Sequence, residues 1–174
     1  LRKCGLLAKD ISALATTDYS VLSLSDYIII ALPADIIPQI IPELKPFLQQ
    51  QVLINVSTDT EKTAFESVKE MCKLASAKII GHARHMDTTG ELPLIIIDSE
   101  DICTRNKVAK IFSNLGAICF GDEKLVKTIN NIASEEGIKA ALNIKQRLEK
   151  INVPSEYISF AIRNVACGTM NAFA

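Results

Sequence analysis

Tryptophan is absent from this 174-residue sequence, and aromatic residues make up only 5% of it. A row of stacking platforms for single-stranded nucleic acid is therefore not available. An excess of either charge is also lacking, since 19 Lys and Arg face 20 Asp and Glu for a net charge of −1. No basic field exists to attract nucleic acid or an anionic membrane. No apolar run approaches the roughly 20 residues of a bilayer-spanning helix, and no secretory leader is visible. These absences predict a cytoplasmic protein with neither a membrane nor a nucleic-acid partner. The five cysteines (Cys4, Cys72, Cys103, Cys119 and Cys167) form no C-x-x-C, so neither an ordinary zinc site nor a disulfide framework is expected. Four of them lie in hydrophobic segments and read as buried thiols in a reducing cytosol. The chain also opens without Met: Leu1-Arg2-Lys3-Cys4 reads as the middle of an element, so an upstream part is expected.

What is present is ordinary globular composition, with 48% hydrophobic and 22% charged residues. Five short runs read as strands: Tyr27–Leu32, Val52–Val56, Lys78–His82, Leu94–Asp98 and Ala117–Phe120. Tyr27-Ile28-Ile29-Ile30-Ala31-Leu32, bounded by Asp26 and Pro33, has the pattern of a strand buried on both faces. Helical periodicity lies between the runs, over 1–15, over 34–51, from Thr60 as a possible cap through Leu74, and over 101–115 up to a Gly116 stop. Pro38, Pro42 and Pro46 recur every four residues, so the second helix is expected to be short, broken or kinked. This alternation predicts a doubly wound, mostly parallel sheet over 1–121, with a right-handed crossover between successive strands. From 122 to 174 the strand signal stops. One long helix over 122–151, with Gly137 as a bend point, precedes another from Pro154 to Met170. Their apolar faces need covering, by the same subunit or, preferably, by a second copy in a homodimer.

Ser25-Asp26-Tyr27-Ile28-Ile29-Ile30-Ala31-Leu32-Pro33 resembles the fourth strand of dehydrogenases of the 6-phosphogluconate and β-hydroxyacid superfamily. The shared pattern is an acidic residue, an apolar run, a small residue, any residue and Pro. Val52–Thr58, VLINVST, is similar to the fifth strand of that superfamily, and the following elements keep its order over roughly residues 10–150. Pyrroline-5-carboxylate reductases and the deazaflavin-using NADP reductases share the layout. Lys127-Thr128-Ile129-Asn130-Asn131 resembles the Lys-x-x-x-Asn string of β-hydroxyacid dehydrogenases. The resemblance implies a partial Rossmann-type fold, NADP or NAD as cofactor, and hydride transfer to or from a small-molecule substrate, a hydroxy acid, imine or related metabolite. It implies that Lys127 does acid–base chemistry while Asn131 binds substrate. It also implies that Ala31, Leu32 and Pro33 wall the cofactor and that Ser57 and Thr58 contact nicotinamide or substrate. At i and i+4, Lys127 and Asn131 share one helix face. Read from spacing alone, Lys127 is also an ordinary solvated residue, like its neighbours Glu123 and Lys124, and Ser57 and Thr58 also suit a cap of the next helix.

The chain departs from that pattern in two respects. Its seven glycines (5, 81, 90, 116, 121, 137 and 168) form no G-x-G-x-x-G, so no phosphate-cradling loop is present. The glycine-rich substrate loop of the family is replaced by Gly81–Gly90, which holds both histidines. Three readings stand there: a substrate loop with His82 and His85 beside an Arg84 that grips a carboxylate or phosphate, a metal site of His82, His85 and Asp87, and a plain polar connector. No metal is expected. Glu135-Glu136 reads as solvated, and Cys167-Gly168 as close helix packing. The alternative to an oxidoreductase is a non-catalytic, degenerate Rossmann protein acting as a dimeric sensor or scaffold.

Overall fold

The computed structural model describes residues 2–174, with side chains from residue 5 onward; Leu1 and the side chain of Cys4 lie outside the described residues. The chain divides into two compact units, Leu1–Lys127 and Thr128–Ala174.

In the first unit, the isoleucine-rich runs form strands as their β-branched side chains dictate. These are β1 (Tyr27–Ile30), β2 (Val52–Asn55), β3 (Lys73–Ile80), β4 (Leu94–Asp98) and β5 (Ala117–Phe120), in that spatial order. β1 pairs in parallel with β2, β2 with β3, and β4 with β5. The β3–β4 pair is antiparallel, with Ser76 opposite Asp98, so the sheet is mostly parallel but the expected right-handed crossover is missing at that junction. The connecting helix α3 (Ala83–Thr89) buries none of its residues. With no side chain of α3 fully buried, this helix does not cover the sheet as a crossover helix does, and the chain turns back on itself instead.

The pleat sends alternate side chains to opposite faces. Ile28, Ile30 and Leu53 point to one face, where Ile37, Ile41 and Leu44 of α2 (Ile37–Leu44) and Phe65 and Val68 of the 3₁₀ segment Lys62–Val68 cover them. Val52, Ile54, Ala75, Ala77, Ile95 and Ile97 point to the other face, under Val108 and Phe112 of α4 (Ile102–Phe112). Each large side chain fully buried there contributes on the order of 1.5–3 kcal/mol. α4 starts at Asp101, whose carboxylate accepts from the Cys103 and Thr104 amides.

Several expectations are corrected. The first helix, α1 (Arg2–Asp10), stops well short of 15. The helix over 34–51 is cut to α2 and a 3₁₀ turn, Lys45–Phe47, because each proline removes an amide donor. The helix expected from Thr60 is only a 3₁₀ segment, its flanking Glu61 makes no side-chain cap, and Thr60 does not cap it. β3 starts at Lys73 rather than Lys78, since its small residues are buried between β2 and β4. Gly116 does follow α4, but the reason for glycine is contact: a Cβ there would run into the Pro93 carbonyl oxygen. Of the four described cysteines, all free, Cys72 alone is buried, while Cys103, Cys119 and Cys167 are exposed. A position inside an apolar run does not decide which face a residue takes.

The second unit carries α5 (Lys124–Glu149, which begins in the first unit and runs on through Gly137), α6 (Ser155–Phe160), a π-helical stretch Ala161–Ala166, and α7 (Cys167–Phe173). Among its described residues Ile158 is the one buried hydrophobic side chain. A Cβ on Gly168 would meet nothing within 4 Å, so the expected close packing at that glycine is absent. Among the described residues no helix is long and apolar enough to cross a membrane.

Candidate active site

In a parallel sheet the loops leaving neighbouring strands emerge side by side, and ligands collect beyond those carboxyl ends. β1 and β2 meet this condition: Ile30 is level with Asn55, and the Val56 amide donates to the Ile30 carbonyl at 3.1 Å. Ala31, Leu32 and Pro33 therefore leave the sheet next to Ser57 and Thr58. Leu32 is half-buried against the apolar cluster of that face, while Ala31 and Pro33 are exposed.

The segment after β2 is a tight turn. The Asn55 side chain straddles it, accepting from the Ser57 amide at 3.0 Å and donating to the Thr60 carbonyl at 2.6 Å. Thr58 and Asp59 form its exposed tip. Lys127, in the first turn of α5, reaches this tip: its Nζ lies 3.2 Å from Asp59 Oδ1, with both side chains exposed. Asn131 lies one turn further along the same helix, in the second unit, and is exposed. The structure thus brings together Ser57, Thr58 and Lys127.

It does not add the Gly81–Gly90 residues to them. That stretch, expected as a loop, is mostly helical: His82 stands at the N-cap of α3 and Gly90 closes it with φ 73°. His82 and Arg84 are exposed, and His85 Nε2 lies 2.9 Å from Glu91 Oε2. Among the described residues no hydrogen bond or ion pair links these three to Lys127 or to the 57–60 turn, and no group of three or more His, Cys, Asp or Glu stands close enough to hold a metal ion.

Sequence reasoning missed what lies beneath the turn. Lys78 of β3 is 1% exposed, and its ammonium donates to the carbonyls of Ser57 and Thr60. Burial pushes the Lys78 amine below the usual lysine range, and the facing Glu123 carboxylate opposes that shift. Glu123, read above as surface, is 4% exposed. Its Oε1 accepts from the Lys62 amide at 2.7 Å, and its Oε2 stands 3.6 Å from Lys78 Nζ. Asp98, at the end of β4, accepts from the Lys62 ammonium at 2.7 Å and from the Glu123 amide at 3.2 Å. A charge at the start of a helix looks solvated in a sequence, because its buried partner is distant along the chain.

A cavity of about 540 Å³ opens elsewhere, beside the start of β3 and the cap of α4. The lysines lining it are neutralised: Lys62 pairs with Asp98, Lys69 with Glu66, and Lys73 with Asp101. No spare positive charge is left there for an anionic ligand. The hydroxyl of Thr104 and the ammonium of Lys73, together with the helix amides, hold the Asp101 carboxyl well below the usual carboxylate range.

No protein-family model matches the chain, and no curated protein matches it in sequence. Solved structures do match it in fold. A pyrroline carboxylate reductase from Plasmodium falciparum with NADP bound superposes with a TM-score of 0.68 at 17% identity, covering 91% of this chain and 62% of that one. An imine reductase from Myxococcus stipitatus in complex with NADP+ gives 0.68 at 14% identity, over 95% and 62%. A GDP-mannose dehydrogenase from Pseudomonas aeruginosa gives 0.68 at 13% identity, over 88% and 43%. The shared property is a Rossmann-like α/β fold followed by helices, and the chain spans less than two thirds of each of these proteins.

Proposed function

We propose that this protein is an NAD(P)-dependent oxidoreductase of the cytoplasm, a homodimer that reduces or oxidises a small hydroxy acid, imine or related metabolite. The observation that carries the reading is Lys127: an ammonium on the first turn of a helix, held by Asp59 in the turn that leaves β2, next to the end of the parallel strand β1. The solved oxidoreductases of the same fold, two of them with NADP or NADP+, support it. Exposed free thiols at Cys103, Cys119 and Cys167 suit a reducing compartment. The exposed apolar residues of the second unit suit a second copy of the chain.

The residues present fit one part of a dinucleotide site. Small and apolar Ala31, Leu32 and Pro33 beside the hydroxyls of Ser57 and Thr58 suit the nicotinamide end. A glycine-rich cradle for the pyrophosphate is not among the residues of this chain. When bound, the cofactor supplies hydride. Lys127 would hold a proton on Nζ and deliver it to the substrate's carbonyl oxygen or imine nitrogen, or take it back in the reverse direction. Asp59 would keep that ammonium beside the ends of β1 and β2 until substrate arrives. Asn131, four residues on, would donate to or accept from the substrate's polar groups. His82, Arg84 and His85 would grip a substrate carboxylate only from the end of β3, as a separate contact.

The test is calorimetric titration of the full-length natural protein with NADPH and NADH, followed by turnover assays on cyclic imines and hydroxy acids. Binding is expected, and Lys127→Ala is expected to lower kcat by about 10²–10⁴-fold. No binding of either nucleotide by the intact protein would return the molecule to the sensor or scaffold reading.

A further inference from the structure

We infer that Lys78 and Glu123 are positioning residues, a buried clamp that holds the 57–60 turn against the start of α5 and so sets where Lys127 stands. The catalytic meaning of the clamp rests on the oxidoreductase reading above; its mechanics do not. The Lys78 ammonium binds the carbonyls at both ends of the turn, Ser57 and Thr60. That leaves Thr58 and Asp59 as a tip with a fixed base. Glu123 meets the same ammonium through one oxygen and the Lys62 amide through the other. The carboxylate that opens α5 is thereby tied to β3 and to the chain just past the turn. Its own amide is tied to Asp98 at the end of β4. Glu123 is the residue just before α5 and Lys127 lies in its first turn, so both stand at the same end of the helix. Glu123 fixes the base of the turn, and Lys127 meets Asp59 at its tip. Val126, fully buried, stops α5 from rolling about its axis. An ammonium at 1% exposure forfeits its hydration. A methionine would occupy similar space without that loss, but it could not bridge two carbonyls and a carboxylate.

The experiment is zero-length carbodiimide crosslinking of the full chain, read by peptide mass spectrometry. It joins the Asp59 carboxylate to the Lys127 amine where the two stay in contact. The Glu135–Lys139 pair, at 2.6 Å within α5, is the internal reference. In Lys78→Met and in Glu123→Gln the Asp59–Lys127 yield is expected to fall several-fold relative to that reference. Glu123→Gln keeps the volume and the acceptor for the Lys62 amide, so it carries the test if Lys78→Met does not fold. In the intact reductase both variants should lower kcat while leaving KM for the nicotinamide cofactor unchanged, a split that general destabilisation does not produce. An unchanged crosslink ratio in a folded variant would overturn the clamp and leave the oxidoreductase reading standing. Failure to bind nucleotide would do the reverse.

Discussion

The two units place their apolar residues in opposite ways. In the first, most isoleucines of β1, β2 and β4 are enclosed: Ile28, Ile54, Ile95 and Ile97 are at most 5% exposed, although Ile29 at the sheet edge is 50% exposed. In the second, Ile138, Leu142, Phe160 and Phe173 are exposed by 61%, 52%, 68% and 94%. A sheet whose inner strands β2, β3 and β4 are packed from both sides makes its own core from one chain, whereas the helices of the second unit bury little apolar surface on one another. The first unit therefore holds a closed core of its own, whereas the apolar residues of the second are mostly exposed.

The largest expected effect that would break this contrast is in the first unit. Phe65→Ala, at a side chain with no exposure, should cost about 3–5 kcal/mol in denaturant unfolding; a loss comparable to that of a surface change would mean that this core is not closed. Lys78→Met alone should cost a similar amount, about 3–5 kcal/mol, because it strands the Glu123 carboxylate. Lys78→Met combined with Glu123→Leu should recover part of that loss, and a double-mutant cycle checks it. Gly116→Ala drives a methyl into the Pro93 carbonyl and should cost about 1–3 kcal/mol.

Asp101→Asn should lower the melting temperature modestly. The folded state depresses this carboxyl below the ordinary value of 3.8, so its stabilising effect is present above that pH and is lost as pH falls through the folded value. Melting curves of the two proteins should therefore converge in acid. The smallest effect belongs to the second unit: Ile138→Lys should change the unfolding free energy of dilute protein by no more than about 0.5 kcal/mol. At high concentration the same substitution should shift sedimentation toward the monomer. A large loss of stability in dilute protein would show that this face is already covered within one chain.

Much of the first unit is legible residue by residue. β1, β2 and β4 are announced by Ile and Val, and the shortened α2 by its prolines. β3 is only half legible: Lys78-Ile79-Ile80 marks its end, but Lys73 and Leu74 read as the end of a helix and Ala75-Ser76-Ala77 carry no strand signal; small residues become strand when flanking strands bury them. Of the candidate site, the neighbouring ends of β1 and β2 follow from the apolar runs, whereas Lys127 is singled out by its resemblance to a Lys-x-x-x-Asn string and not by its spacing. Lys78, Glu123 and Asn55 do not, because their partners are distant in the chain and a single charged letter says nothing about its solvent.

By itself the sequence determines the alternation of strands and helices, the near-neutral charge and the shortness of its apolar runs, since all three follow from local periodicity and composition. Only the tertiary structure decides that β4 runs against β3, that three cysteines face outward, and that a lysine and a glutamate are buried under the turn beside Lys127. Direction, face and burial depend on what packs against a residue, and that information is spread over the whole chain.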